Sequence, residues 1–144
     1  MDPIRAAIPH REPFLFVDAI VEEGPDVLRT RWTVPPEADF LRGHYPGKPL
    51  VPGVLLCESA FQAGAILCAR DTEAAGPDVV PVLTRIGEAR FKRMVGPGET
   101  VECEVRLDQR VGPARYMTAV LTVGSATALR VSFVVAAASP AGAP

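Results

Sequence analysis

Residues 43–69 decide the fold of this chain, and they have the sequence GHYPGKPLVPGVLLCESAFQAGAILCA. The first eleven residues contain three glycines and three prolines, a composition that excludes a helix or a central strand and predicts a loop. The residues that follow contain no proline and are rich in leucine and alanine, so they predict one helix from Gly53 to about Ala69. Because this helix is apolar on nearly all its faces, we expect it to be buried on most sides.

Three polar side chains stand out around the predicted helix. Glu58 and Gln62 interrupt its apolar middle four residues apart, which places both on one face. His44 lies upstream in the loop and is one of only two histidines in the chain. An imidazole and a buried carboxylate therefore lie close to the start of one hydrophobic helix.

Length and composition favour one soluble domain. The chain has 144 residues with 48% hydrophobic and 22% charged residues, enough for a single core and too apolar for wholesale disorder. A net charge of -2 without a large basic cluster gives no reason to expect nucleic acid binding. The first residues lack the pattern of a signal peptide, and the apolar helix is short for a membrane span and carries Glu58. We expect a cytoplasmic protein with no membrane partner.

Alternating apolar residues predict strands on both sides of the helix. A first strand is expected to end near Glu22, and the others cover residues 27–34, 79–91, 101–108, 115–123 and 127–137. Short glycine-containing turns between the later strands indicate antiparallel pairing. One helix beside such a sheet predicts an α+β fold in which the sheet curls around the helix. We expect a single domain over residues 1–138, a flexible tail at 139–144, and a second copy of the chain covering part of the helix.

The three cysteines, Cys57, Cys68 and Cys103, lie among apolar neighbours and lack the spacing of metal ligands. We therefore predict buried hydrophobic side chains and neither nucleophiles nor a metal site.

Three blocks of the sequence carry a resemblance to a known family. They are GHYPGxPxxPGVLxxExxxQ at residues 43–62, PHRxPFLFVD at residues 9–18, and ARFKR at residues 89–93 before a Pro-Gly turn. Together they resemble the 3-hydroxyacyl-acyl-carrier-protein dehydratases of type II fatty-acid synthesis. The resemblance implies a hot-dog fold, in which a curled antiparallel sheet of five to six strands wraps a long central helix.

The resemblance also implies an active site shared between two protomers, with histidine from one and glutamate from the other. Carried onto this chain, these residues are His44 and Glu58. His44 is the expected general base for the C2 proton of a (3R)-hydroxyacyl thioester, and Glu58 the acid that protonates the leaving hydroxyl. Burial of Glu58 suits an acid that must hold its proton, whereas pairing with an arginine would have the opposite effect. The product is a trans-2-enoyl thioester, and no cofactor or metal is needed.

Other residues receive supporting roles. The backbone N–H groups of Gly53 and Val54, at the start of the helix, are predicted to stabilise the charge that develops on the thioester oxygen. Gln62 orders the catalytic carboxylate or is a satisfied core amide. Tyr45 stands where the family more often has phenylalanine and is a supporting residue, and the bulk of Phe61 is predicted to shorten the acyl tunnel.

A basic cluster, Arg90, Lys92 and Arg93, is either a docking site for the acidic acyl-carrier protein and its phosphopantetheine phosphate or a solvated strand edge. His10 and Arg11 are predicted to be structural and to tie down the N-terminal segment, residues 8–18. The predicted assembly is a homodimer or a trimer of dimers. The alternative functions are a hot-dog thioesterase and a non-catalytic acyl-binding subunit of a heterodimer.

Overall fold

A six-stranded antiparallel sheet surrounds one long helix in the computed structural model, which describes residues 2–71 and 79–138. In chain order the elements are α1 (Pro3–Ala7), β1 (Ala19–Glu23), β2 (Val27–Thr33), α2 (Asp39–Arg42), α3 (Gly53–Ala69), β3 (Val80–Phe91), β4 (Thr100–Val111), β5 (Ala114–Val123) and β6 (Ala126–Ala138). Helix α3 contacts every strand from β2 to β6. This arrangement confirms the predicted α+β hot-dog architecture.

Helix α3 begins at Gly53 and ends at Ala69, as the absence of proline between these residues predicts. The sheet of a single chain buries α3 from Leu56 to Cys68, apart from Glu58. The first turn is open, with Val54 73% exposed, and Ala69 is exposed at the other end of the helix. The part of α3 that is left for a second copy of the chain to cover is therefore its first turn, because its middle is already buried.

The strands are ordered β1-β2-β4-β5-β6-β3 across the sheet, so β3 crosses over to pair with β6 at the far edge. Strands β4, β5 and β6 form a meander whose two turns contain Gly112 and Gly124, both with positive φ values that favour glycine. The predicted inward faces are confirmed in β4 and β6, where alternate residues line the core: Val101, Cys103, Val105, Leu107, Leu129, Val131, Phe133 and Val135.

Two short helices are not predicted from the sequence. Helix α1 is capped by Asp2, whose side chain accepts hydrogen bonds from the N–H groups of Ile4 and Arg5 at 2.9 Å each. Helix α2 is a single turn before the loop that carries His44. The predicted tail at 139–144 and most of the connection after α3 lie outside the described residues.

All three cysteines are free and buried, as predicted. Burial raises the pKa of the Cys103 thiol to about 12, which makes it a poor nucleophile. No helix within the described part of the chain is long and apolar enough to cross a membrane.

Candidate active site

The loop between α2 and α3 holds His44 in a defined tautomer. Its Nδ1 atom lies 3.0 Å from the carbonyl oxygen of Leu50. A carbonyl only accepts hydrogen bonds, so Nδ1 carries a proton, and in the neutral imidazole Nε2 has the free lone pair. The loop is fixed in turn by a hydrogen bond from the N–H of Val51 to the carbonyl of Val95, at 2.8 Å. His44 therefore presents a basic nitrogen from a fixed position.

Tyr45 follows His44 with φ of 53°, a left-handed conformation that is costly for a residue with a side chain. Its ring contacts the imidazole edge to face, with ring centroids 4.7 Å apart. The two rings line a cavity of about 450 Å³ together with Lys48, Leu50 and Met94. Such a mostly apolar wall suits an acyl chain.

A second cavity of about 440 Å³ shares Leu50 and Met94 with the first. It extends from Leu50 to the start of α3, and its lining includes Gly53 and Phe91. We call the two cavities together the His44 groove. Phe91 and Met94 are exposed apolar side chains of this groove.

Gly53 lies directly against the ring of Phe91. A Cβ atom at this position would come within 2.8 Å of the Phe91 ring, so the missing side chain lets this ring lie against the start of α3. The N–H groups of Gly53 and Val54 belong to the first helical turn, where the helix supplies no acceptor for them. Their role toward a thioester oxygen stays a prediction.

Glu58 lies mostly buried on α3, and its nearest polar partners are an amide and an imidazole. Gln62 Nε2 donates to Glu58 Oε2 at 3.1 Å, and His10 Nε2 lies 3.6 Å from the same oxygen. Burial raises the pKa of Glu58, while the Gln62 hydrogen bond and His10 lower it to a smaller extent. Among the described residues, Glu58 lies next to His10 and forms no ion pair with an arginine. Glu58 is thus prepared to hold a proton.

Gln62 is fully buried, and its contacts fit both predicted roles: it binds the carboxylate of Glu58 and it is a satisfied core amide. Its side-chain oxygen accepts from the N–H of Phe16 at 2.8 Å, and its Nε2 donates to the carbonyl of Phe14 at 3.1 Å as well as to Glu58. Ser59 supports the same contact by donating to the carbonyl of Phe16 at 2.9 Å. The N-terminal segment is therefore bound to α3 by the residue that also contacts the carboxylate.

The packing of the N-terminal segment on α3 also brings His10 to Glu58, and this contact was not predicted from the sequence. The two residues are 48 positions apart, and no spacing rule relates them. Only their family blocks, at residues 9–18 and 43–62, were signals that both could belong to one site. The structural role predicted for Arg11, by contrast, is confirmed. Its guanidinium donates to the carbonyls of Ile8 and Arg5 at 2.9 and 3.1 Å.

The predicted tunnel residue Phe61 is buried and packs edge to face against Phe133 of β6, with ring centroids 5.0 Å apart. It fills the core between α3 and the sheet. A limit on acyl length at this position stays a prediction.

The three predicted docking residues have different surroundings. Arg93 forms a two-pronged ion pair with Glu99 at 3.2 and 2.8 Å, which ties it to the turn before β4. Arg90 contacts Glu88, and both line a polar hollow of about 380 Å³ with Lys92 and Arg130. The hollow lies on the outer face of the sheet, since Arg130 alternates with the buried residues of β6.

Within the described residues, no hydrogen bond or ion pair joins His44 to Glu58. His44 faces the groove beside the start of α3, and Glu58 faces the N-terminal segment. The structure of one chain thus brings Glu58, Gln62 and His10 together and leaves His44 apart from them.

Comparison with known proteins agrees with this fold. The model of the family described as FabA-like domain matches residues 8–132. A 3-hydroxyacyl-[acyl-carrier-protein] dehydratase FabZ of Nitratidesulfovibrio vulgaris is 41% identical over 105 residues, which are 72% of this chain and 68% of the relative. The FabZ of Chloroflexus aggregans is 44% identical over 107 residues, 74% of this chain and 73% of the relative.

Among solved structures, the dehydratase heterocomplex ApeI:P of Xenorhabdus doucetiae has the same fold, with a TM-score of 0.82 at 13% identity. The alignment covers 99% of this chain and 95% of that one. The class is therefore that of FabA-like hot-dog domains. Within this class, the chain belongs to the FabZ family of 3-hydroxyacyl-[acyl-carrier-protein] dehydratases. The family predicted from the three sequence blocks is confirmed.

Proposed function

We propose that this protein dehydrates (3R)-hydroxyacyl thioesters of acyl-carrier protein to trans-2-enoyl thioesters, in fatty-acid or related polyketide or polyene biosynthesis. Its membership of the FabZ family supports the reaction and the carrier. The main observation in support of this reaction is that one candidate group can accept a proton and the other can donate one. His44 is held with a free Nε2, and Glu58 is held where burial raises its pKa.

In the proposed mechanism, His44 Nε2 takes a proton from C2 of the substrate. The electron pair of the C2–H bond forms the C2=C3 double bond while the C3–O bond breaks. Glu58 gives its proton to the departing oxygen, which leaves as water. The N–H groups of Gly53 and Val54 stabilise the negative charge on the thioester oxygen. Reversal of the same transfers hydrates an enoyl thioester.

The two groups act together across an interface between two copies of the chain. This proposal is supported by their separation within one chain and by the apolar groove beside His44, where Phe91 and Met94 are exposed. Exposed apolar patches of this kind are typical of protein interfaces. We propose a homodimer as the active unit, which larger assemblies such as a trimer of dimers would retain.

The acyl-carrier protein docks on the polar hollow on the outer face of the sheet. Arg90, Lys92 and Arg130 supply positive charge there, and Lys92 also lines the His44 groove. A phosphate group held beside Lys92 would lie at the entrance of the apolar groove. Arg93 contributes less to docking, because both terminal nitrogens of its guanidinium bind Glu99 and because its side chain is less exposed than that of Arg90, which contacts Glu88.

A turnover assay tests the proposed function. Purified protein is given 3-hydroxyacyl thioesters of several chain lengths on acyl-carrier protein, and the absorbance of the conjugated enoyl product is followed. We expect turnover by the wild type and a loss of at least about a hundredfold in both His44→Ala and Glu58→Gln, since each removes one proton-transfer group. Release of free carrier thiol would identify a thioesterase instead. A folded dimer without turnover on any substrate would indicate a non-catalytic subunit.

A further inference from the structure

The amide of Gln62 determines which oxygen of Glu58 can carry the acidic proton. The Phe16 N–H is a donor, so the atom 2.8 Å from it must be the side-chain oxygen of Gln62. The amide nitrogen therefore faces Glu58 Oε2, and it donates there at 3.1 Å. The carbonyl oxygen of a protonated carboxyl group is a better acceptor than its hydroxyl oxygen, so this hydrogen bond favours the proton on Oε1.

His10 approaches the same oxygen from the other side. Its Nε2 lies 3.6 Å from Glu58 Oε2, and its ring stacks on Phe14, with centroids 6.4 Å apart. His10 Nδ1 is buried and has no hydrogen-bond partner among the described residues. A proton on Nδ1 would be a buried donor without an acceptor, so the proton belongs on Nε2, directed at Glu58. The distance is longer than the roughly 2.9 Å of a hydrogen bond, and contacts of this kind often shorten in the substrate complex.

We propose that His10 and Gln62 together hold Oε2 of Glu58, so that Oε1 is the oxygen that carries the proton and delivers it to the leaving hydroxyl. His10 is a positioning residue in this proposal, and it acts through Glu58. The inference rests on the proposed dehydratase function. It assigns a function to His10, for which the sequence alone predicted a structural role.

Two substitutions of His10 separate positioning from structural support. His10→Gln keeps an N–H donor at the reach of Nε2 and loses the ring on Phe14. His10→Phe keeps the ring and loses the donor. Positioning predicts that His10→Phe lowers kcat about tenfold, the effect of one lost hydrogen bond in the transition state, with KM unchanged. His10→Gln retains kcat within about twofold of the wild type, because its donor can still reach Oε2.

A spectroscopic measurement on the same variants adds an independent readout. The titratable groups that face Glu58 in the described structure are His10 on the N-terminal segment and Cys57 beside it on α3. Since His10 lowers the pKa of Glu58, a carbon-13 NMR titration of the Glu58 carboxyl group should show a higher pKa in His10→Phe than in the wild type.

The opposite pattern overturns the inference. If His10→Gln loses activity and His10→Phe does not, the ring supports the fold and the donor is irrelevant. Equal kcat values in the wild type and His10→Phe would likewise refute positioning. Both results require an active wild type, so they are distinguishable from failure of the proposed function, in which the wild type itself shows no turnover. Circular dichroism melting curves of both variants confirm that the compared proteins are folded.

Discussion

Gln62→Leu tests whether the buried amide binds the N-terminal segment to α3. The substitution is close in volume and keeps the helix, but it removes one acceptor and two N–H donors from a fully buried site. The N–H of Phe16 loses its acceptor at 2.8 Å, and the carbonyl of Phe14 and Oε2 of Glu58 each lose a donor at 3.1 Å. A buried polar group left without a partner costs about 1–3 kcal/mol.

The expected loss in the free energy of unfolding is therefore about 2–4 kcal/mol, because the Phe14 carbonyl is only partly buried and regains some hydration. Such a loss is a large part of the roughly 5–15 kcal/mol that stabilises a domain. Urea unfolding measures it as a lower midpoint with an unchanged slope.

Gln109→Leu is the matched control, since Gln109 is exposed on β4 and the chemical change is identical. We expect the control to stay within about 0.5 kcal/mol of the wild type. If Gln62→Leu is equally neutral, the amide does not hold the segment, and the placement of His10 beside Glu58 loses its structural basis.

Two further predictions concern residues of α3. Burial raises the pKa of Glu58 above its ordinary 4.5, so the folded state keeps a proton that the unfolded state releases. The free energy of unfolding of the wild type, relative to that of Glu58→Gln, should therefore fall as the pH rises through the folded pKa of Glu58. Urea unfolding at pH 4 and at pH 8 measures this difference between the two proteins. An equal difference at both pH values would contradict the prediction. Gly64→Ala places a Cβ atom 2.5 Å from the Phe133 ring, which itself packs on Phe61. This clash should lower the free energy of unfolding by about 1–3 kcal/mol. Gly43→Ala, with nothing within 4 Å, is its control, and equal melting temperatures would refute the clash.

The sequence was sufficient for those parts of the fold that depend on local pattern. The proline-free apolar run fixes both ends of α3, and strict alternation fixes the inward faces of β4 and β6. Helix α1 was missed because five residues carry little periodicity, although Asp2 before Pro3 is the signal of a capped helix start. The crossover of β3 to β6 depends on tertiary contacts that no local pattern encodes.

The candidate site was predictable only in part for the same reason. His44, Glu58 and Gln62 lie in one continuous block, so their residue types and spacing indicated them directly. The contact of His10 with Glu58 follows from the docking of a distant segment on α3. The alternative that an arginine pairs with Glu58 could also be decided only in the folded chain, where His10 occupies that place.

The central claim is that each active site combines His44 of one protomer with Glu58 of the other. Two inactive variants, His44→Ala and Glu58→Gln, are co-expressed with different affinity tags, and the mixed dimer is purified through both tags. One of its two sites then has both groups, so we expect about half of the wild-type turnover.

The control is a mixed dimer of the wild type with a chain carrying both substitutions. Sites shared between protomers predict that this dimer is inactive, because each site lacks one group. Sites contained within one chain predict the reverse, an active control and an inactive first dimer. Turnover by the first mixed dimer and not by the control supports the account, and the reverse pattern contradicts it.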